Sequence, residues 1–191
     1  MTNNFLVKQY ISDKKMKIRH NYLSEQFSNP KKIFSLINKT VKFNDFTLGR
    51  YVDLFENDST LHLVTGVEEF IQFCYVQKQT LVLASSSAMV NIERVFSRFH
   101  LHQYFTAKIS GADLTASKPH PEIFEKAAIL GSTSKENCIV IEDSDNGIKA
   151  ANDAGIFVIG YRNPFSADQT LKNADLIIED FSELKKLLHF S

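Results

Sequence analysis

Apolar residues follow one periodicity in the first third of the chain and another after it. Up to about residue 63 they recur at helical spacing, as in Ile33, Leu36 and Ile37, with one glycine and one proline among them. This part predicts several short helices. From Gly66 onward, short apolar runs alternate with amphipathic stretches, which predicts strands and helices in turn.

The second part has the pattern of a parallel sheet. Apolar runs predict strands at residues 80–87, 107–110, 138–143, 157–161 and 174–180. Helical patterns alternate with them at residues 67–77, 89–99, 121–131, 146–155 and 181–190. Near-continuous apolar strands separated by helices are typical of a sheet covered on both faces. We therefore predict an α/β fold, with a helical unit at residues 1–63 and a Rossmann-like parallel sheet at residues 64–191.

Groups of polar residues lie at three positions along this part of the chain, each at a strand end or a helix entrance. The first strand ends in a serine run that includes Ser85 and Ser86, and the third ends in Glu142 and Asp143. Lys118 precedes a proline at a helix entrance between them. Steps of roughly 30 residues, the length of a βαβ unit, separate the three groups, so they fall at one edge of the sheet. Ligands bind open α/β sheets at this edge, beyond the carboxyl ends of the strands.

These residue types suit a phosphate and a metal ion. A hydroxyl and free amides at a strand-to-helix turn form a cradle for an anion, and a lysine adds a compact positive charge. Adjacent carboxylates offer the oxygen ligands that Mg²⁺ prefers. Each group alone has another explanation: a polar turn for the serines, a solvated helix start for Lys118, and a helix N-cap for Asp143 or Ser144.

Charge and composition exclude several classes of function. Lys plus Arg and Asp plus Glu both number 22, so the net charge is zero and overall charge favours neither nucleic acid nor a membrane surface. No run reaches the roughly 18 apolar residues of a membrane span, and the N-terminus lacks a signal-peptide pattern. We expect a cytoplasmic protein in which Cys74 and Cys138 are buried free thiols.

Three segments resemble the haloacid dehalogenase superfamily, in particular its β-phosphoglucomutase and phosphoglycolate phosphatase-like branch. They are "LASSS", "ISGADLTASKPHPEIFEKAA" and "CIVIEDSDNGIKAANDAGIFVIGY". The resemblance is specific from about Gly66 to Gly160 and looser before it, where the helical part resembles the cap of that group. It implies a Rossmann-like core and Mg²⁺-dependent hydrolysis or isomerisation of a small phosphorylated metabolite such as a sugar phosphate, with hydrolysis favoured.

The resemblance also implies a role for each matching residue. Ser85 matches the phosphate-binding hydroxyl of the second motif, and Ser86 beside it would add a backbone N–H. Lys118 matches the lysine that binds the phosphoryl group, and Asp143 matches the acid that holds Mg²⁺. Glu142 would either be a second ligand of the metal beside Asp143 or hold the site in place without contacting the metal itself.

Substrate contacts are less specific in the sequence. His120 lies where the family varies, and we interpret it as a surface residue, with contact to the edge of the substrate as the alternative. A basic cluster near the N-terminus is either a solvated helix face or a set of contacts to a second anionic group. Its members are Lys14, Lys15, Lys17, Arg19 and His20.

The first motif of the family, an apolar strand followed by Asp-x-Asp whose first Asp is the nucleophile, has no good match. In "KFNDFTLG" Asn44 would replace the nucleophile and no apolar strand precedes it, so we favour a cap-helix entrance with Asp45 or Thr47 as N-cap. We therefore expect the central, nucleophile-bearing strand to be absent, which leaves its neighbours without a ladder. Three alternatives stay open: an enzyme inactive without a further segment, a non-catalytic phosphate-binding remnant, and a partner-binding domain.

Overall fold

The computed structural model describes residues 55, 57, 59, 61–164 and 169–188. The predicted helical unit at residues 1–63 therefore lies almost wholly outside the described residues, together with the motif around Asn44, Asp45 and Thr47. Within the described ranges no helix has the length and hydropathy needed to cross a membrane.

Helices and strands alternate from Val67 to Leu187. The helices are α1 (Val67–Val76), α2 (Met89–Arg98), α3 (Glu122–Leu130), α4 (Asp145–Asp153) and α5 (Ser182–Leu187). The strands are β1 (Val82–Ser85), β2 (Ala107–Ser110), β3 (Ile139–Glu142), β4 (Phe157–Tyr161) and β5 (Leu176–Ile178). Every strand and helix predicted for residues 64–191 is present with shifts of a few residues at its ends, which confirms the α/β fold class.

All pairings between the described strands are parallel, but they form two sheets. In the first, β1 pairs with β2 and places Ser85 opposite Ser110. In the second, β4 lies between β3 and β5, and Glu142 is opposite Gly160. The sequence predicted a parallel sheet that lacks its central strand, and among the described residues no strand joins β1 to β3. A cavity lies between these two strands instead of a hydrogen-bonded ladder.

Helices cover the strands on two sides. Helix α1 packs on α5, and the Phe181 ring before α5 lies 4.8 Å from Tyr161 and 6.2 Å from Phe70 between ring centroids. Helix α3 packs on β1 and β2 and also contacts α4, around a second apolar cluster that includes Ile123 and Ile148. This packing fixes the positions of the carboxyl ends of β1, β2 and β3 relative to one another.

The two cysteines differ in burial. Both are free thiols, and Cys74 in α1 is buried as predicted. Cys138 is only partly buried, because it follows a 3₁₀ turn (Lys135–Asn137) at the amino end of β3. The prediction of two buried thiols is therefore wrong for Cys138.

Candidate functional site

One lysine ammonium joins the carboxyl ends of β1 and β3. Lys118 Nζ donates to the backbone carbonyl of Ala84 at 3.4 Å and forms an ion pair with Glu142 Oε1. It also lies 4.8 Å from the centre of the Phe124 ring. The Lys118 and Glu142 side chains are 8% and 6% exposed. A buried pair of this kind depends on both partners, since either charge alone would be left without compensation.

The second oxygen of Glu142 lies against the first turn of α4. Glu142 Oε2 accepts hydrogen bonds from Asp143 N at 2.9 Å, Ser144 N at 3.2 Å and Ser144 Oγ at 3.0 Å. A Cβ at Gly147 would collide with this carboxyl group, so glycine makes the close approach possible. Free amides at a helix N-terminus favour an anion, and Glu142 is the anion in this position.

Ser144 is the N-cap of α4, which is one of the alternatives that the sequence left open for this segment. Its Oγ accepts from Gly147 N at 3.1 Å, the usual N-cap contact. Asp143, which precedes it, is 7% exposed, and its Oδ2 accepts from Asn163 Nδ2 at 3.0 Å. Asp143 therefore presents a buried carboxylate at the sheet edge, held by a side chain from the segment after β4.

Asn163 is a site residue that the sequence reasoning missed. It is 5% exposed, and it directs its amide at Asp143 from the end of the neighbouring strand. The available signal was a polar residue just beyond the "FVIGY" strand, at the same sheet edge. Tyr161 lies nearby, where burial, followed by the charges of Asp180 and Asp143, raises the pKa of its hydroxyl.

The serine turn after β1 is held by a second missed residue, Ser110. Ser85 Oγ accepts from Ser87 N at 3.2 Å, and Ser110 Oγ donates to the carbonyl of Ser87 at 2.9 Å. Ser110 is 1% exposed and ends β2 directly opposite Ser85. The exposed Ser86 lies close to the next loop, where a Cβ at Gly111 would be 3.1 Å from the Ser86 Cα. Ser110 was visible as a polar residue at a strand end, but its strand was weakly patterned.

The predicted residue His120 lies in the described part of the chain but does not join this cluster. His120 is exposed and its Nδ1 accepts from Glu122 N at 3.3 Å, so it contacts the start of α3. The N-terminal basic residues lie outside the described residues: Lys14, Lys15, Lys17, Arg19 and His20.

The structure thus brings together the groups at the three strand ends. Lys118 contacts the residue before Ser85 on one side and the residue before Asp143 on the other. The pure partner-binding alternative needed no such convergence. A polar site therefore lies at one edge of an otherwise apolar core. It consists of one ammonium group, two carboxylates and the serine turn after β1.

The relatives of this chain among curated proteins include a phosphoglucomutase and a hexitol phosphatase. The chain is 30% identical over 128 residues to the beta-phosphoglucomutase of Bacillus subtilis, a match that covers 66% of this chain and 54% of that protein. It is 31% identical over 138 residues to hexitol phosphatase B of Escherichia coli, covering 72% of this chain and 61% of that protein. The chain thus spans little more than half the length of these relatives.

Solved structures agree on the fold. A beta-phosphoglucomutase from Clostridium difficile superposes with a TM-score of 0.61 at 27% identity, covering 80% of this chain and 69% of that one. CbbY from Rhodobacter sphaeroides, solved with phosphate, has a TM-score of 0.66 at 18% identity and covers 98% of this chain and 93% of its own. The haloacid dehalogenase-like hydrolase model matches residues 3–161, and the chain belongs to that family.

Proposed function

We propose that this chain binds the phosphoryl group of a small phosphate ester and serves its Mg²⁺-dependent transfer, by hydrolysis rather than isomerisation. The observation that carries the proposal is the buried Lys118 ammonium, which contacts the ends of β1 and β3 between Ser85 and Asp143. The names of the relatives, a phosphoglucomutase and a hexitol phosphatase, favour sugar or sugar-alcohol phosphates as the substrate class.

The described residues supply positive charge and oriented hydrogen bonds. Lys118 and the turn from Ser85 to Ser87 would hold the phosphoryl oxygens, with the exposed Ser86 adding a backbone N–H. Such preorganised donors stabilise the charge that develops on a transferred phosphoryl group. Ser110 would keep the turn in place, because its hydroxyl donates to the Ser87 carbonyl.

The donor set fits a magnesium ion completed by the substrate. Mg²⁺ is commonly bound through one or two carboxylates, with phosphate oxygens and waters filling its other positions. Asp143 would be the protein ligand, while Glu142 supports it, since both Glu142 oxygens already accept hydrogen bonds. Among the described residues no group of three or more acidic, His or Cys side chains surrounds a metal position. Bound Mg²⁺ would neutralise charge on the phosphoryl oxygens.

A second candidate function is phosphate-ester binding without turnover. It is favoured by residues 1–63, which contain no Asp-x-Asp sequence. Both candidates need Lys118 for binding, and only the first predicts release of inorganic phosphate. The same set of proteins therefore tests the two.

The test is Lys118→Met, assayed against a panel of sugar phosphates with Mg²⁺ for binding by calorimetry and for phosphate release. We expect binding at least about tenfold weaker, because a charge-assisted contact is lost. The substitution also leaves Glu142 buried without its partner, which destabilises the fold by about 3 kcal/mol. The double variant Lys118→Met/Glu142→Gln should recover stability but not binding, which separates the two effects.

Lys126→Met is the matched control, because Lys126 lies on α3 and, among the described residues, pairs with Glu122 alone in a partly exposed contact. It should bind and turn over substrate as the wild type does. If Lys118→Met binds sugar phosphates with unchanged affinity, the proposed site is wrong. If the wild type binds them but releases no phosphate, the second candidate replaces the first.

A further inference from the structure

One asparagine beside the polar site directly precedes a glycine. Asn146 and Gly147 form the Asn-Gly pair in "EDSDNGIKAA", and the 191 residues contain no second pair of this kind. A glycine nitrogen has no adjacent side chain to hinder its attack on the asparagine, so Asn-Gly is the pair in which asparagine loses its amide most readily. Both residues lie in the first turn of α4, so the fold decides whether this reaction occurs.

The reaction needs water and no other co-reactant. The Gly147 nitrogen gives up its proton and attacks Cγ, the carbonyl carbon of the Asn146 side chain. The bond from Cγ to the side-chain nitrogen breaks, and that nitrogen leaves with the proton as ammonia. Water then opens the cyclic imide at either of its carbonyl carbons and gives aspartate, or isoaspartate with the main chain running through Cγ. The rate is therefore set by access of the Gly147 nitrogen to Cγ.

The folded first turn of α4 opposes ring closure in two ways. Ser144 Oγ accepts from Gly147 N at 3.1 Å, so removal of the Gly147 proton would cost this hydrogen bond. The Cα–Cβ bonds of a helix tilt toward its N-terminus, which keeps the Asn146 side chain away from the nitrogen that follows it. Asn146 is exposed and Gly147 is buried. Water thus reaches the side chain, and the geometry of the turn is the barrier.

The Ser144 side chain is the contact that holds this turn closed. Its Oγ also donates to Glu142 Oε2 at 3.0 Å, while its carbonyl accepts from Ile148 N at 2.9 Å. Helix ends open locally at a lower cost than the whole molecule, and an N-cap side chain resists that opening. We propose that Asn146 is a deamidation site and that the Ser144 cap controls its rate. Only the opened first turn lets the Gly147 nitrogen reach Cγ.

The two products would change the turn differently. Aspartate leaves the main chain as it is and adds a negative charge at a helix N-terminus, where such a charge is favourable. Isoaspartate lengthens the main chain by a carbon atom, which displaces Gly147 from the Ser144 hydroxyl. It also disturbs the Glu142 carboxyl group, which packs so closely on Gly147 that a Cβ there would collide with it. The isoaspartate form should therefore unfold at a lower urea concentration than the aspartate form.

The experiment follows deamidation of Asn146 in the whole chain at mildly alkaline pH, by peptide mapping and mass spectrometry. A synthetic peptide of residues 141–151 gives the rate without the fold. We expect the folded chain to react at least about tenfold more slowly than the peptide, since the turn must open first. Ser144→Ala should react about fivefold faster than the wild type, the change in an opening equilibrium that loss of a serine cap produces. Ser144→Thr keeps the hydroxyl and should restore the wild-type rate.

Ser134→Ala is the matched control, because Ser134 precedes the 3₁₀ turn Lys135–Asn137 and its side chain makes no cap hydrogen bond. It should leave the rate at Asn146 unchanged. Circular dichroism verifies that the variants fold. A urea series on the wild type, kept below the unfolding transition, tests the same point without any substitution. Local opening should raise the deamidation rate there, before the protein unfolds.

Three results would overturn the inference. The first is a folded chain that reacts as fast as the peptide, and the second is an equal rate for Ser144→Ala and the wild type. The third is a wild-type rate that rises in urea only in step with global unfolding, which would place the barrier in the whole core instead of the cap. These readouts involve neither a phosphate ester nor a metal ion, so the inference and the proposed function are tested separately.

Discussion

At the scale of single residues, Glu142 organises the site. One of its oxygens pairs with Lys118, and the other accepts from the Asp143 and Ser144 amides. Such charge-assisted hydrogen bonds are about twice as strong as neutral ones, and here water is largely excluded. Glu142 thus fixes both the ammonium and the entrance to α4, which places Asp143 at the edge.

Gly147→Ala tests this arrangement. The added Cβ would collide with the Glu142 carboxyl group, which must move away from Lys118 and the helix amides. We expect the free energy of unfolding to fall by about 1–3 kcal/mol, measured by urea denaturation.

The matched substitution is Gly131→Ala, where the nearest atom to the new Cβ, the Ala127 carbonyl oxygen, is 3.4 Å away. It should change stability by no more than about 0.5 kcal/mol. Equal effects of the two substitutions would contradict the packing of Glu142 against Gly147.

At the scale of elements, Asp145 ties the start of α4 to the segment before β5. Its carboxylate accepts from Leu171 N at 2.8 Å and from Thr170 N at 3.1 Å. In return, Gln169 Oε1 accepts from Asp145 N at 2.6 Å. Partial burial works to raise the pKa of Asp145, but the hydrogen bonds from Thr170 and Leu171 and the charge of Lys172 outweigh it, and the pKa is lowered from 3.8.

The lowered pKa predicts an acid-dependent contribution to stability. Because the folded state binds the proton less readily than the unfolded state, the contribution is present above pH 3.8 and is lost as the pH falls through the lowered folded-state value. Asp145→Asn should therefore be less stable than the wild type near neutral pH, by about 0.5–1 kcal/mol since water screens the contact.

The measurement is urea denaturation of both proteins over a pH series. The difference between them should shrink only below pH 3.8. Asp153→Asn is the control on the same helix, because in the described part of the chain Asp153 forms its ion pair with exposed Lys149 alone. If the difference in the free energy of unfolding between the wild type and Asp145→Asn stays constant down to the lowest pH measured, the role of this carboxylate is disproved.

At the scale of the whole molecule, the two sheets share one apolar core. Phe96 of α2 beside the first sheet and Ile159 of the second belong to the same buried cluster, together with Phe70 of α1. The described chain therefore holds its sheets through helices and through the Lys118–Glu142 pair, without a ladder between β1 and β3.

A thiol reagent should react with the two cysteines at different rates, and the slower reaction should report on opening of the apolar core. Burial raises the pKa of Cys74 to about 12, and the residue is 3% exposed, so its thiolate is scarce and shielded. Burial also raises the pKa of Cys138, with a smaller contribution from Glu136, but that residue is partly open. At about pH 8 a thiol reagent should label Cys138 first, and Cys74 only when the core opens.

Cys138→Ser isolates the slow thiol, whose labelling rate should rise with denaturant as the unfolding equilibrium does. Cys74→Ser isolates the fast one, whose rate should be insensitive to low denaturant. If both thiols of the wild type react at one rate in native conditions, the core around α1 is more open than its burial indicates.

Much of the fold was readable because it depends on local patterns. The "LVLAS" and "CIVIED" runs predict strands through their continuous apolar residues, and Ser144 and Gly155 mark the two ends of α4. Lys118 and the carboxylates were found because parallel strands place their carboxyl ends on one edge. Asn163 and Ser110 were missed, since each works by reaching a neighbouring strand end, a contact that no local pattern encodes.

The sequence by itself determined which elements form, their order and the edge at which the polar residues gather, because hydrophobic periodicity and chain direction are properties of neighbouring residues. Only the tertiary structure decided that Glu142 faces Lys118 and the α4 amides, and that Asn163 holds Asp143. These depend on distances between segments far apart in the chain, which side-chain packing sets and sequence spacing does not.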